Sequence, residues 1–266
     1  MPPVFVVGAT GRIGRVLRSV WGPEAAVWQA RRDVPGHVTW DVLGGNCPVS
    51  LRDSVVLCLA GVTRGDALGL NTDLALAVMR AAEAGGAARV LVASSAAVYA
   101  PADRDMAEGD APDPQSPYGR AKAAMEAAVL AAPGPARCLL RIGNVVGADA
   151  LIGGARAGVP VVLDPVPGAA GGPLRSWIGP VTLARVLWKL CEIVDLPPVL
   201  NVAQPGPLRM AALLEAAGMG WSYGPVRPGV VGRATLDVTC LSGLSEPVLP
   251  PATADGLIAE WRGSGL

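Results

Sequence analysis

The chain has 266 residues, 51% of them hydrophobic, and its 22 basic residues balance its 22 acidic ones. This length suits one large domain, and the balanced charge argues against nucleic acid or an anionic membrane as a partner. Every apolar run is shorter than the roughly 18 residues of a membrane span, and no basic signal-peptide region precedes the first one, so a cytoplasmic protein is expected. The single histidine, His37, lies in a predicted polar turn, which argues against a Ser-His-Asp triad, and the five scattered cysteines argue against a metal site or disulfide framework.

Short β-branched runs alternate with helical stretches through the first half of the chain. Strands are predicted at 3–7, 25–28, 37–40, 54–60, 89–95 and 137–142, and helices at 11–20, 70–84 and 116–132. The predicted strands are apolar on both faces, which is typical of buried parallel strands. Their alternation with helices predicts an α/β fold with a doubly wound Rossmann sheet.

The composition changes after about residue 147. Residues 153–175 are dense in Gly and Pro, and helices are predicted at 180–195, 207–217 and 252–262. We therefore expect a dinucleotide-binding Rossmann domain over 1–147. Residues 148–266 are expected to form a smaller substrate-binding cap that is interleaved with the sheet.

A glycine-rich turn follows the first predicted strand in the segment VFVVGATGRIG. Its spacing is G-x-x-G-x-x-G rather than the standard G-x-G-x-x-G. Gly8 permits a tight turn, Gly11 lets the backbone approach a pyrophosphate, and Gly14 lets the helix pack on the strand. Arg12 and Ile13 complete this predicted cofactor-binding turn, where the helix N-terminus offers N–H groups to the phosphates.

The ends of the next strands supply further candidates for cofactor binding. Arg31 and Arg32 follow the second strand, where binders of NAD usually carry an acid, and two guanidinium groups there suit the 2′-phosphate of NADP. Asp41 follows the third strand and is a candidate partner of the adenine amino group. Ala60 and Gly61, after the strand that ends in LCLAG, are expected to lie close to the cofactor. We therefore expect NADP as the preferred cofactor, with NAD as the alternative.

A tyrosine and a lysine lie four residues apart in SPYGRAKAAME, in a chain with three tyrosines and only two lysines. At this spacing Tyr118 and Lys122 project from one face of a helix. A neighbouring ammonium is expected to lower the pKa of the phenol, so that the pair can move a proton for an alcohol/ketone couple. Ser95, at the end of the fifth strand, is positioned to donate a hydrogen bond to the substrate oxygen.

Several motifs in order resemble the extended short-chain dehydrogenases/reductases, also called the NAD-dependent epimerase/dehydratase family. They are GATGRIG, SSAAVY, YGRAK, RIGNVVG, RSWIGPVTLARVL, NVAQPG and the tail segment RPGVVGRATLDVTCLSGL. The resemblance implies that Ser95, Tyr118 and Lys122 form the catalytic set and that Asn71 arranges the surroundings of the lysine. It also implies that Asn144, Arg175 and Arg227 contact the diphosphate of a nucleotide-sugar substrate.

The chain departs from the family pattern at several positions. Ala96 and Ala97 replace the Asp-Glu pair with which sugar dehydratases eliminate water, so the family resemblance disfavours a dehydratase. Ile142 and Val146 replace the Pro and Tyr of RPxNVYG, and RDFIHVDD has become RSWIGPVT. The stretch between Gly147 and Arg175 is short for the family, which implies a reduced substrate pocket.

Three functions fit these residues. The first is an NAD(P)-dependent oxidoreductase or epimerase that acts at a secondary alcohol or ketone of a sugar or nucleotide sugar. The second is a reductase of a small non-nucleotide carbonyl compound, which the short cap favours. The third is a non-catalytic dinucleotide sensor, against which the retention of both Tyr118 and Lys122 argues. Dimers are common in the family, so a homodimer is also an expectation.

Overall fold

The computed structural model describes residues 2–244 and 249–266. The strands are β1 Val4–Val7, β2 Val27–Ala30, β3 Val38–Thr39, β4 Val55–Cys58, β5 Arg89–Ser95, β6 Ala136–Ile142, β7 Asn144–Val145, β8 Val161–Leu163, β9 Leu174–Arg175, β10 Trp177–Ile178, β11 Val199–Val202, β12 Leu208–Arg209, β13 Trp221–Tyr223 and β14 Arg233–Ala234. The helices are α1 Arg12–Trp21, α2 Leu70–Gly85, α3 Pro117–Ala131, α4 Pro180–Glu192, α5 Met210–Ala217, α6 Thr239–Leu244 and α7 Ala254–Ser264. Within the described ranges, no helix is both long enough and apolar enough to cross a membrane.

The central sheet has seven strands in the order β11-β6-β5-β4-β1-β2-β3. The pairs β1–β2, β1–β4, β2–β3 and β4–β5 are parallel. Chain order reverses beside β1, and ligands of doubly wound sheets bind at such a switch point, beyond the carboxyl ends of the strands. The predicted Rossmann-type α/β fold is confirmed.

The second strand begins two residues later than the sequence pattern predicts. Phe5 pairs with Val27 and Val6 with Trp28, so the register with β1 starts β2 at Val27. The indole N–H of Trp28 donates to the carbonyl of Pro23 at 2.7 Å, which closes the turn before the strand. Pairing with a distant strand therefore sets this boundary, whereas the sequence pattern reports only the apolar run.

The chain divides into two compact units. The first comprises the described residues up to Val98, Pro112–Arg141 and Ala184–Leu200; the second comprises Tyr99–Ala111, Ile142–Leu183 and the described residues from Asn201 onward. Tyr99–Ala111 thus belong to the second unit although they precede residue 147, and Ala184–Leu200 belong to the first unit although they follow it.

Contacts inside each unit explain why the segments Tyr99–Ala111 and Ala184–Leu200 belong to these units. In the first unit, the indole N–H of Trp21 donates to Ala184 O at 2.8 Å, and the ring centroids of Trp21 and Trp188 lie 5.0 Å apart. In the second unit, Asn201 is fully buried and donates to Met106 O at 2.8 Å. Its amide oxygen also accepts from the hydroxyl of Tyr99 at 2.9 Å. A buried amide destabilises the protein if its hydrogen bonds are not made. The hydrogen bonds of Asn201 therefore hold the segment 99–111 in the second unit.

The core of the first unit packs helices α2 and α3 against the sheet. Its buried members include Phe5, Val56, Met79, Met125 and Leu139. The second unit has its own core under small sheets ordered β12-β9-β14, β10-β7 and β13-β8. The strands of the first unit thus place the ends of β1, β2, β4 and β5 along one edge, where the candidate site lies.

Candidate active site

The glycine turn after β1 is shaped by close contact with the chain after β4. Gly8 has φ +82°, and a Cβ there would lie 2.7 Å from the backbone nitrogen of Ala60. The N–H of Gly8 donates to Oε1 of Gln29 at 2.7 Å, and the buried Gln29 in turn donates to Trp40 O at 2.5 Å. The ends of β1, β2 and β4 are therefore tied together around this turn. The sequence pattern did not predict that Gln29 holds the glycine turn, because Gln29 lies within an apolar strand.

The other two glycines of the turn have different surroundings. A Cβ at Gly14 would lie 2.5 Å from Ala9 O, so only glycine lets α1 pack this close to the turn. Gly11 is exposed, and a Cβ there would meet only Gly8 O, at 3.3 Å. Gly11 caps α1 without a side-chain hydrogen bond, and Arg12 and Ile13 form the first turn of that helix. The turn therefore presents a helix N-terminus of the kind that binds phosphates.

The remaining predicted cofactor residues lie along the same strand ends. Arg31 and Arg32 are exposed directly after β2. Asp41 follows β3, and its carboxylate accepts from the N–H of Leu43 at 3.3 Å, which makes it part of a local turn. Gly61 is exposed after β4, and a Cβ there would lie 2.8 Å from Oδ1 of Asn71. These positions stay predictions for cofactor binding.

Helix α3 brings the predicted catalytic side chains to the end of β5. The hydroxyl of Ser116 caps the helix by accepting from Gly119 N at 3.0 Å, and Pro117 occupies its first turn. Tyr118 is half-buried and forms a hydrogen bond with the hydroxyl of Ser95. Lys122 is buried one turn later, and its ammonium donates to Ala93 O at 2.9 Å. Ser95, Tyr118 and Lys122 thus lie together where β5 meets α3.

The electrostatics of this group are dominated by burial. Burial raises the pKa of Tyr118, and the hydrogen bond from Ser95 only partly offsets this effect. Burial likewise lowers the pKa of Lys122, which Cys58 and Glu126 oppose. The expected effect of Lys122 on the pKa of the tyrosine stays a prediction, and the Lys122 ammonium is hydrogen-bonded to the carbonyl of Ala93 on β5. Ser95 is the group that favours the phenolate here.

Asn71 supports the site without touching the reacting hydroxyls. It is fully buried on α2, and its amide nitrogen donates to Val62 O at 2.9 Å and to Leu68 O at 2.8 Å. Its amide oxygen accepts from Val62 N at 3.1 Å. Asn71 therefore fixes the segment after β4, which supports the predicted role of arranging the surroundings of Lys122.

A buried ionic network joins helix α3 to strands β5 and β6 and was not predicted. The carboxylate of Glu126 accepts from Arg141 on β6, with the shortest contact at 2.7 Å, and from the hydroxyl of Ser94 at 2.5 Å. A glutamate four residues after the lysine was the available sequence signal, but an acidic residue on a helix is usually exposed. Only its pairing with a strand residue reveals the network.

Gly119, next to Tyr118, is a further residue of the site that the sequence pattern did not predict. A Cβ at this position would clash with the carbonyl oxygen of Ala97. Because glycine has no Cβ, α3 approaches the turn after β5 closely enough for Tyr118 to reach Ser95. A glycine in the first turn of an otherwise alanine-rich helix was the signal for this close approach.

The predicted substrate residues belong to the second unit. Asn144 begins β7 and pairs with Trp177, which follows Arg175 by two residues. The guanidinium of Arg175 donates to Leu174 O and Val231 O, each at 2.8 Å, and burial lowers its pKa to about 10. Arg227 is exposed in the segment after β13. The diphosphate role of these three residues stays a prediction.

The C-terminal helix explains one departure from the family pattern. Gly179 stands where the family motif has histidine, and a Cβ there would clash with the carboxylate of Glu260 on α7. That carboxylate accepts from the backbone N–H of Thr182 at 2.7 Å and from its hydroxyl at 2.5 Å. An acid from α7 therefore caps the first turn of α4 in the space that a side chain at residue 179 would need.

Comparisons with known proteins agree with this arrangement. The sequence profile of the NAD dependent epimerase/dehydratase family matches residues 59–202, which is 144 of 266 residues and includes Ser95, Tyr118, Lys122 and Arg175. None of the curated protein sequences matches significantly.

Solved structures resemble the whole chain. MoeE5 in complex with UDP-glucuronic acid and NAD is 27% identical, with 99% of this chain and 100% of that chain covered and a TM-score of 0.79. RMD from Pseudomonas aeruginosa complexed with NADPH is 19% identical, with 99% of this chain and 99% of that chain covered and a TM-score of 0.76. The family match covers more than half of the chain, and the chain therefore belongs to the NAD dependent epimerase/dehydratase family.

Proposed function

We propose that the protein is an NAD(P)-dependent oxidoreductase or epimerase that acts at a secondary alcohol or ketone carbon of a nucleotide sugar. The observation that carries the proposal is the hydrogen-bonded pair of hydroxyls from Ser95 and Tyr118, next to the buried ammonium of Lys122. A proton donor, a proton acceptor and a fixed cation are what reversible carbonyl reduction requires of a protein.

The first unit fits a dinucleotide cofactor. The tight turn at Gly8, the open backbone at Gly11 and the uncapped start of α1 would hold the pyrophosphate. The exposed guanidinium groups of Arg31 and Arg32 would hold a 2′-phosphate and favour NADP. The cofactor, when bound, supplies or accepts the hydride.

Tyr118 would transfer the proton to or from the substrate oxygen. The Ser95 hydroxyl hydrogen-bonds to the phenol and would orient the substrate oxygen beside it. The Lys122 ammonium, held on Ala93 O at 2.9 Å, has N–H groups left to contact a cofactor hydroxyl. Ala96 and Ala97 carry no acid or base, so these residues support hydride and proton transfer rather than loss of water.

The second unit supports an anionic substrate. Arg175 is largely buried and donates hydrogen bonds to the neutral carbonyls of Leu174 and Val231, while Asp164 is the acidic group whose charge favours the guanidinium. A buried guanidinium without a directly bonded carboxylate favours binding of an anion. MoeE5 binds UDP-sugars in its solved complexes, which supports a nucleotide-sugar diphosphate as the anion for this chain.

The direct test is turnover of nucleotide sugars. The purified chain is incubated with UDP-glucose or UDP-glucuronic acid and either NADP or NAD, while absorbance of the reduced cofactor and the sugar products are followed. Net formation of reduced cofactor indicates a dehydrogenase, and an epimer without net reduction indicates an epimerase. Turnover of small carbonyl compounds alone would contradict the nucleotide-sugar assignment.

The choice between NADP and NAD is predicted to depend on Arg31 and Arg32. Replacing both with Ala should weaken NADP binding roughly ten- to a hundredfold, because a charge-assisted contact to the 2′-phosphate is lost. NAD lacks this phosphate, so its affinity should stay nearly unchanged. Calorimetric titration with each cofactor measures the difference, and higher salt should weaken NADP more than NAD.

The exposed residue Arg52 provides a matched control, since it lies in the turn before β4 rather than after β2. Arg52→Ala should change neither affinity. Equal affinity of the wild-type chain for NADP and NAD would show that Arg31 and Arg32 do not select the cofactor.

A further inference from the structure

Among the residues that the structure describes, no charged group hydrogen-bonds directly to the buried ammonium of Lys122. Only 5% of the residue is exposed, and its Nζ contacts Ala93 O at 2.9 Å and the sulfur of Met125 at 3.7 Å. Cys58 is a titratable neighbour on β4, but burial raises the pKa of its thiol to about 11, so the thiol is neutral at neutral pH. A buried cation is costly unless an anion compensates it.

Glu126 lies one helical turn beyond Lys122 and supplies that anion. It is 2% exposed, and its interaction with Lys122 favours the charged ammonium. Nε of Arg141 donates to both carboxylate oxygens at 3.1 Å, and a terminal nitrogen of Arg141 donates to Oε2 at 2.7 Å. Together with the Ser94 hydroxyl at 2.5 Å, these bonds fix the carboxylate in one orientation.

Strand β5 and helix α3 are joined by hydrogen bonds at three successive turns of the helix. Ser95 bonds to Tyr118, the carbonyl of Ala93 bonds to Lys122, and the hydroxyl of Ser94 bonds to Glu126. The helix residues are spaced at i, i+4 and i+8, so they lie on one face. The Tyr-x-x-x-Lys pair is thus continued by one further turn, to a carboxylate.

We propose that Glu126 is a positioning residue that keeps the buried ammonium of Lys122 protonated and in place, with Arg141 and Ser94 orienting its carboxylate. The proposal rests on the proposed function, in which Lys122 serves hydride and proton transfer. The titratable groups around the ammonium are Cys58 on β4, Tyr118 and Glu126 on its own helix, and Arg141 on β6 behind the carboxylate.

A purely structural role for the Glu126–Arg141 pair is the competing explanation. Removing either partner of a buried ion pair leaves an uncompensated charge and is strongly destabilising. Glu126→Gln and Arg141→Gln should therefore both lower thermal stability. Their effects on Lys122 differ in sign, however, because the first removes a negative charge near the ammonium and the second removes a positive one.

The composition of the chain makes this difference measurable. Lys122 and Lys189 are the only lysines, so labelling with ¹³C at lysine Cε gives two resonances. Lys189 has a side chain that is 45% exposed and pairs with Glu192 on the surface, which makes it an internal reference. The titration midpoint of Lys122 should move to lower pH in Glu126→Gln and to higher pH in Arg141→Gln, while that of Lys189 stays constant.

Turnover provides the second measurement. Glu126→Gln should lower turnover at neutral pH about tenfold or more, as expected when a group in acid–base catalysis is less often in its active protonation state. Glu126→Asp retains the charge and should restore most of that loss. If Glu126→Gln does not fold, the midpoint in Arg141→Gln still tests the proposal, since a midpoint equal to that of the wild type would contradict it.

If the titration midpoint of Lys122 moves in the same direction in both variants, or moves in neither variant, the positioning role of Glu126 is overturned. The Glu126–Arg141 pair would then have a structural role. The titration needs neither cofactor nor substrate. A chain whose Lys122 responds as expected but which turns over no nucleotide sugar would therefore contradict the proposed function alone.

Discussion

Replacing Tyr118 with Phe should reduce turnover by at least about a hundredfold, the usual scale for loss of a general acid–base group. The substitution removes one hydroxyl, which bonds to Ser95 and is the proposed proton donor and acceptor. The ring that packs at the start of α3 is retained, so the fold and the affinity for NADP should change little. Steady-state kinetics together with calorimetric titration of NADP separate the two effects.

Tyr223→Phe is the matched control. The hydroxyl of Tyr223 accepts from Gly171 N at 2.7 Å in the second unit, and the tyrosine itself is exposed. Loss of this hydroxyl should leave turnover close to that of the wild type. Wild-type turnover by Tyr118→Phe on an identified substrate would exclude the phenol as the proton-transfer group.

The pH dependence of the wild type follows from the same hydroxyl. Because burial raises the pKa of Tyr118, the phenolate becomes populated only as the pH rises. Alcohol oxidation needs the phenolate as base and should become faster with increasing pH, whereas ketone reduction needs the protonated phenol and should become slower. The Phe variant should lose this dependence in whatever turnover remains.

Gly11→Val should lower the affinity for NADP by roughly a hundredfold or more, about the loss of two strong contacts. The isopropyl group would stand in front of the start of α1, where the pyrophosphate is proposed to bind. The backbone of Gly11 has φ −67° and ψ 169°, a conformation that valine adopts readily, and a Cβ would meet only Gly8 O at 3.3 Å. The variant is therefore expected to fold.

Substitutions at two other glycines serve as controls for the effect of Gly11→Val. A Cβ at Gly45 would meet nothing within 4 Å, so Gly45→Val should retain both fold and affinity. Gly14→Ala should instead destabilise the protein, because its Cβ would lie 2.5 Å from Ala9 O. Thermal unfolding followed by NADP titration distinguishes the three cases, and undiminished affinity in folded Gly11→Val would show that the phosphates bind elsewhere.

Local patterns in the sequence were sufficient to predict most strands and helices of the first unit and the Tyr-x-x-x-Lys motif. Apolar runs predicted the buried strands, and the spacing of Tyr118 and Lys122 predicted a shared helix face. The turn chemistry at Gly8 was equally readable, because a glycine between a strand and a helix reports a backbone that other residues rarely adopt. These signals depend on residues within one or two turns of each other.

The tertiary structure decided the features that depend on distant partners. Only the approach of α3 to β5 places the Lys122 ammonium on Ala93 O. Glu126 becomes a buried charge only because Arg141, 15 residues further along the chain, pairs with it. Glu260 reaches the start of α4 from 78 residues away. The sequence alone determined the main strands and helices of the first unit and the glycine turn after β1, since these follow from short-range sterics and periodicity. The partners of the buried charges were decided by how the folded elements pack, which no local pattern records.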